Sequence, residues 1–373
     1  MSWIVALLVA SAALTVGAGA DAAPTVIITI DVESNSSINL PEQVDTTCDG
    51  GSACGLMEIA RMLQRRQIAG TFFLNVYEQR SWGEAQMRQI VEQLQAAGQD
   101  VGLHTHPRWA YDPTRSGMHQ YSLEEQTAII RDGARLLALW SGQPVVAHRA
   151  GDYAADERTL KALEANGLRV DSSLFWGQPQ SHLTGLGLPR NLPSSWGKLL
   201  EIPVTVYERH ERPRLFGGIA PALASVRKID VNWFVDEEEA KAAMDAVVEA
   251  DMPFLVVFLH SFTMLAGRTN GGVALANRPA QSIFSAILDR IAEKRLRVVT
   301  MRDLAAGNNV IAARRGADVV PVVDVQVSLP RYLWHAWRTR KTSVLVATGV
   351  ALVSIFVLAA VAFARIRKIP HRA

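Results

Sequence analysis

Two histidines one residue apart, His104 and His106, stand where an apolar run ends and Pro107 follows. Proline cannot donate to a sheet ladder, so it stops a strand and turns the chain out of the sheet. The stretch Asp100-Val-Gly-Leu-His-Thr-His-Pro-Arg-Trp109 therefore reads as a buried strand that delivers two imidazoles at its C-terminal end. Neutral imidazole nitrogen suits zinc and similar ions. The same rule collects further candidates. Thr25-Val-Ile-Ile-Thr-Ile30 runs into Asp31 and Glu33, and Pro144-Val-Val-Ala-His148 runs into Arg149, Asp152 and Tyr153. Asp171 follows a short extended stretch, and Pro253-Phe-Leu-Val-Val-Phe-Leu259 stops at His260. In a β/α barrel these strand ends share one face, so their side chains converge. Taken singly, each has a plain reading as a turn residue, a surface charge or a satisfied core histidine. Carboxylates, imidazoles and an arginine in register at the same strand ends point to one shared site.

The elements that must position them follow from periodicity. The candidate strands are near-continuous apolar runs, as expected of strands buried on both faces. They alternate with helices about seven times, the pattern of a parallel sheet covered by helices, either a barrel or an open sheet. Leu56, Ile59, Ala60 and Leu63 recur at helical spacing, and Gly98 ends a helix over Gln86–Ala97. Ser122 with Glu125 forms a capping box for a helix to Trp140, and Asp156 caps another that Gly167 closes. Asp236 with Glu239 opens a helix to Ala250, and Ala280–Lys294 is a further one. Strands are also predicted at Gly70–Leu74, Leu199–Val206 and Leu296–Thr300.

The chain ends carry their own signals. Ile4–Val16 is apolar and is followed by small residues, so 1–23 reads as a signal peptide. The body is expected over 24–310, with a linker at 311–341 that has room for a strand at Val319–Val327. Thr342–Ala364 holds no charge and is long enough to span the hydrocarbon layer, and 365–373 forms a short basic tail. These segments predict a single-pass protein of the cell membrane, with its body facing the periplasm or the exterior. A net charge of only +2 over 373 residues makes no case for a nucleic-acid partner. Cys48 and Cys54 would form one local bridge in an oxidising compartment.

From roughly residue 25 to 305 the chain resembles the polysaccharide deacetylases, carbohydrate esterase family 4. Thr29-Ile-Asp-Val-Glu33 resembles the family's first motif, and Asp100 to Arg108 its second. Arg149-Ala-Gly-Asp-Tyr153, Asp171-Ser-Ser and Leu259-His-Ser261 resemble the third, fourth and fifth. The resemblance implies a distorted (β/α) barrel, here with a C-terminal transmembrane helix, and one divalent metal ion, zinc being the best fit. It implies Asp31 as the base, His260 as the general acid, and Arg149 as the group that steadies Asp31. It gives Glu33, His104 and His106 to the metal. The backbone N–H of Tyr153 would help hold the oxyanion. Tyr153, Asp171 and Trp176 are the candidates for substrate contact, with Trp109, Trp196 and Trp233 as further rings able to stack on sugars.

Two departures from the family pattern stand out. Val32 separates Asp31 from Glu33, where the family's first motif has adjacent aspartates. Residues two apart in an extended segment point the same way, so Glu33 can take the metal position. Arg108 stands where the second motif has its later histidine, so His106 would serve, with His148 in reserve. The implied activity is removal of N-acetyl groups from an extracytoplasmic polysaccharide or glycan. The alternatives are a different amide hydrolase on the same barrel, or a membrane-anchored glycan-binding protein with a degenerate metal site.

Overall fold

The computed structural model describes residues 23–35, 39–44, 46–48, 51, 53–215, 220–269, 272–307, 318–339 and 349. Apart from Ala23 and Gly349, the expected signal peptide and membrane helix lie outside these residues. No helix among the described residues is long and apolar enough to cross a membrane.

The strands of the two larger sheets are β1 (Thr25–Val32), β2 (Thr71–Asn75), β3 (Asp100–Thr105), β4 (Ala147–Ala150), β5 (Val170–Asp171), β6 (Ser194–Trp196), β7 (Leu199–Glu201), β8 (Val206–Pro213), β9 (Leu223–Lys228), β10 (Phe254–His260) and β11 (Val322–Val327). One eight-stranded sheet runs in the order β10-β1-β2-β3-β4-β5-β7-β6, parallel throughout except for the β6–β7 pair. Its outer margin curls toward the segment after β7. There the Val256 N–H donates to Thr205 Oγ1 at 2.8 Å, and Asp230 bridges to Phe258. The result is an α/β fold whose curled sheet forms an incompletely closed barrel.

Alternation along the strands builds two cores. Val26, Ile28, Ile30 and Val32 of β1 pack with the apolar faces of the surrounding helices, among them Leu63, Ile90 and Phe284. Ile27 faces the other way and packs with Phe73, Ala147, Val170, Phe254 and Val256. Val299, Met301 and Leu304 close that inner cluster. Toward the C-terminal strand ends the inward positions turn polar, from Ile27 through Thr29 to Asp31 on β1 and from Ala147 to Arg149 on β4. The helices α1 (Leu56–Gln64), α2 (Glu84–Ala96), α3 (Leu123–Ser141), α4 (Glu157–Ala165), α5 (Glu237–Glu249) and α6 (Arg278–Glu293) connect these strands. Their starts follow the capping signals: Ser122 accepts from the Glu125 N–H, Asp156 from Thr159 and Asp236 from Glu239.

Three expectations are corrected. Leu199–Val206 is not one strand, because Pro203 removes a ladder donor and the chain leaves the main sheet to start β8 in another. Leu296–Thr300 is reduced to a bridge between Val298 and Val26, since β2 pairs with β1 only from Thr29 onward. Within the segment expected as a linker, residues 318–339 carry the strand that the sequence allowed there and a helix besides. Within it, β11 pairs parallel with β8, which also pairs antiparallel with β9. Val323, Val325 and Val327 are buried while their neighbours are exposed, a period of two. Helix α7 (Leu329–Arg338) then packs Tyr332 and Ala336 into the same core.

Candidate metal centre

The parallel register sets the site. Asp31 on β1 pairs with His260 on β10, His104 on β3 lies between Asn75 of β2 and Arg149 of β4, and all sit at C-terminal strand ends. Glu33, two residues past Asp31, is fixed by the far side of the same crossing. Its N–H donates to Ser261 Oγ at 3.2 Å, and that hydroxyl donates back to the Glu33 carbonyl at 3.0 Å.

Glu33, His104 and His106 converge, with one ligand atom from each within 4.8 Å of the others. Glu33 Oε2 stands 2.6 Å from His106 Nε2 and 3.7 Å from His104 Nε2. Asp31 Oδ2 is 3.9 Å from His104 Nε2. His104 Nδ1 is bonded to the Arg149 carbonyl at 2.9 Å, which fixes the ring and turns Nε2 to the carboxylates. His104 Nε2 is buried and has no hydrogen-bond partner among the described residues. A buried nitrogen left without a partner is costly, and a cation seated between two imidazoles and a carboxylate would satisfy it. The donor set therefore fits a divalent metal ion. Burial alone would lower the His104 imidazole, but the Asp31 and Glu33 carboxylates push it up to about 9. Burial likewise works to raise the Glu33 carboxyl, yet His106 and His104 hold it well below its ordinary value. The His104 direction reports the negative charge of the two carboxylates, and the Glu33 direction reports the imidazoles beside it.

Arg149 is fully buried and donates from Nη1 to Asp31 Oδ1 at 2.9 Å, from Nε to the Ser172 carbonyl at 3.0 Å and from Nη2 to Ser172 Oγ at 2.9 Å. Its guanidinium lies over the rings of Phe73 and Phe258. Asp31 is thus held by one oxygen, with the other toward His104. Burial and then the nearby Lys228 ammonium lower the His260 imidazole, which stands with Nε2 3.6 Å from Glu33 Oε1. Phe262 stacks on His260 at 4.7 Å. Cys48 and Cys54 are joined in a disulfide that packs against Leu265, Ala274 and Phe262, so the loop after β1 backs the loop after β10. At the next strand end, Asp152 and Tyr153 both take left-handed backbone conformations, φ 54° and 57°. Such strain in non-glycine residues concentrates at functional sites. Gly151 before them is required by space, since a Cβ there would lie 2.4 Å from the His106 ring.

Two expected roles do not survive the geometry. His148 cannot stand in as a ligand, because it lies one residue out of phase with the inward Ala147 and Arg149. Its Nδ1 is bonded to Asp171 at 2.7 Å and its Nε2 to Thr105 at 3.0 Å. Asp171 is the other half of that pair and is fully buried, also accepting from Ser173 Oγ at 2.8 Å, so it cannot touch substrate. Among the other candidates, the Tyr153 side chain is turned into the wall, where Lys228 Nζ donates to its hydroxyl at 3.0 Å. Trp176 is half-exposed, beside Arg190 at 5.5 Å. Arg108 is exposed and leans on Trp109 at 5.7 Å. Those two residues, with Ser34, Asn35 and Pro113, line a cleft of about 380 Å³.

Three contributors were missed. Asn75, whose Oδ1 lies 3.4 Å from the His106 N–H, ends β2 and answers to the same strand-end rule that found the ligands. Glu78 accepts from the Ser34 N–H at 3.1 Å and is pushed up to about 7, chiefly by burial. Lys228 is buried against the Phe258 ring, 3.3 Å from Asp230, and burial lowers its ammonium. Neither Glu78 nor Lys228 had a local signal, since one ends a short 3₁₀ turn and the other ends a strand of the second sheet.

Fold and centre together define an α/β protein with a cluster of one carboxylate and two imidazoles at the C-terminal strand ends of a curled sheet. Residues 39–170, which hold the second and third motifs, match the polysaccharide deacetylase family. No curated protein matches. Among solved structures, a Mycobacterium smegmatis protein assigned as a polysaccharide deacetylase aligns at 17% identity, covering 83% of this chain and 96% of its own, with a TM-score of 0.49. A carbohydrate esterase family 4 pseudoenzyme from Bacillus anthracis aligns at 13% identity over 77% of this chain and 67% of its own, with a TM-score of 0.42. A family 4 carbohydrate esterase from Streptomyces lividans, in complex with acetate, aligns at 12% identity over 74% and 91%, with a TM-score of 0.38.

Proposed function

We propose that this protein is a metal-dependent hydrolase that removes N-acetyl groups from a polysaccharide outside the cytoplasm, anchored by Thr342–Ala364. The observation that carries the reading is the buried, unpartnered His104 Nε2 facing the Asp31 and Glu33 carboxylates. Glu33, His104 and His106 would hold the ion. When bound, a divalent cation supplies Lewis-acid chemistry, polarising a carbonyl and lowering the pKa of water, and zinc suits two imidazoles and a carboxylate.

The chain's own residues supply the rest. Asp31 takes the proton from the attacking water through the oxygen that Arg149 leaves free. Arg149 holds the carboxylate in position and balances its charge inside a buried wall. The backbone N–H of Tyr153 donates to the oxyanion. His260 gives its proton to the departing amine, so that water and amide become amine and acetate. The cleft of Trp109 and Arg108 takes the neighbouring sugar, its indole face suited to a pyranose ring. The test is acetate release from N-acetylated oligosaccharides by metal-loaded and chelated protein. Metal retention without acetate release would move the reading to another amide hydrolase.

One contact favours a second reading. Glu33 and His106 already bond each other at 2.6 Å, which is how a degenerate site without metal would satisfy itself. A membrane-anchored glycan-binding protein would then be the answer, and metal analysis of the purified protein separates the two.

A further inference from the structure

Helix α7 and strands β8 and β9 enclose a cavity of about 360 Å³ whose lining includes Arg209, Glu211, Ser225, Arg227, His335 and Arg338. We propose that this cavity binds the phosphate of an anionic phospholipid headgroup, a role that rests on the membrane anchor proposed above and not on the deacetylase activity.

Arg209 carries the inference. It is buried, 2% exposed, and its Nε donates to Glu239 at 2.6 Å while Nη1 donates to Glu211. Its Nη2 has no partner among the described residues. The two acids are already engaged elsewhere. Glu239 also accepts from the Tyr207 hydroxyl at 3.1 Å and the Val235 N–H at 2.8 Å, and Glu211 also accepts from His335 Nδ1 at 2.8 Å. A buried guanidinium N–H without an acceptor costs free energy, and Arg209 is among the residues that line the cavity. Arg227 lines the same space, bonded through Nε to Ser225 Oγ at 3.3 Å, and Arg338 lines it from the last turn of α7. Three guanidinium groups reach the cavity from three different elements, against one carboxylate spent on Arg209 and His335. Guanidinium forks match phosphate oxygens in pairs, and donors from three directions suit a tetrahedral group better than a flat one.

The same helix indicates where the phosphate comes from. Trp334 and Trp337 are 49% and 69% exposed, and Arg338 lies over the Trp334 ring at 5.1 Å. Exposed indoles beside arginines are the usual furniture of the headgroup layer. Arg340 and Lys341 follow directly in sequence, then the uncharged stretch Thr342–Ala364. Arg338 of the cavity lies a few residues before that stretch in sequence, so a membrane anchor there would bring the cavity close to the headgroups.

The experiment uses the full chain in zwitterionic detergent micelles. Phosphatidylglycerol or phosphatidylcholine is added in mixed micelles, and inorganic phosphate is added separately, with binding read by calorimetry. The expected result is saturable phosphatidylglycerol binding at least about tenfold tighter than phosphatidylcholine binding. The double variant Arg227→Gln/Arg338→Gln should lose about tenfold or more, the scale of one charge-assisted contact. Arg65→Gln/Arg88→Gln, which removes the same charge from exposed helices elsewhere, should bind as the parent does. Equal loss in both double variants would reduce the effect to net charge and overturn the proposal. Inorganic phosphate binding as tightly as the lipid, or no saturable lipid binding at all, would overturn it too. If the first double variant fails to fold, Arg227→Gln alone, judged by its melting temperature, carries the same comparison.

Discussion

Asp31 and His260 occupy matched positions on adjacent parallel strands, so residues at opposite ends of the body flank one point of the barrel mouth. Arg149 reaches that point from a third strand and bonds Asp31 at 2.9 Å. The pair and its arginine form one unit, and the consequences of disturbing it are specific.

His104→Ala, His106→Ala and Glu33→Gln should each lose stoichiometric metal, measured by elemental analysis of purified protein. His148→Ala should keep its metal, since both its ring nitrogens serve Asp171 and Thr105. A metal-replete His106→Ala protein would refute the ligand assignment.

Gly151→Ala places a Cβ 2.4 Å from the His106 ring, both of its nitrogens included, while leaving every ligand residue in the sequence. Displacing the ring should weaken metal binding by about 10- to 100-fold, the range for residues that orient ligands. The fold, followed by circular dichroism, should persist. Unchanged metal affinity would mean that the ring has room to yield.

Arg149→Met should be costly in two currencies. It leaves the buried Asp31 carboxylate without its cation, for which broken buried pairs typically lose about 3–5 kcal/mol. It should also lower kcat by about 10²- to 10⁴-fold, as Asp31→Asn should. Melting temperature and acetate release are the two readouts, and an active, stable Arg149→Met protein would remove Arg149 from the site.

The pH dependence follows from His260. As an acid it must carry a proton, and burial together with Lys228 lowers its affinity for one. The alkaline limb of kcat/KM should therefore fall below the ordinary histidine value of about 6.5. Lys228→Gln removes a positive neighbour, so that limb should move to higher pH. A limb that stays in place would show that Lys228 acts on structure alone.

Asp171→Asn should reduce stability and leave KM for the oligosaccharide unchanged. Its carboxylate is buried against His148 and Ser173 and reaches no open surface. A rise in KM with unchanged melting temperature would restore it to the substrate contacts.

Much of the site was legible because a buried parallel strand is a local signal and its end is another. An apolar run followed by Asp31, His104, Arg149 or His260 needs no tertiary information to be noticed, and α/β folds place such ends on one face. The period of two also carried more than was used. Once Arg149 faces inward, His148 beside it must face outward, and the reserve ligand could have been dismissed from the chain alone. Asn75 was equally within reach, as the polar residue that ends β2. The tertiary structure decided the rest. Lys228 and Glu78 reach the site from a second sheet and a short 3₁₀ turn, whose encounter with the main sheet no local pattern encodes. The segment 318–339 joined the body because β8 left an edge open for β11, and an unpaired edge is satisfied only by long-range contact. Local periodicity determines which face of an element is buried, and long-range packing determines what lies against it.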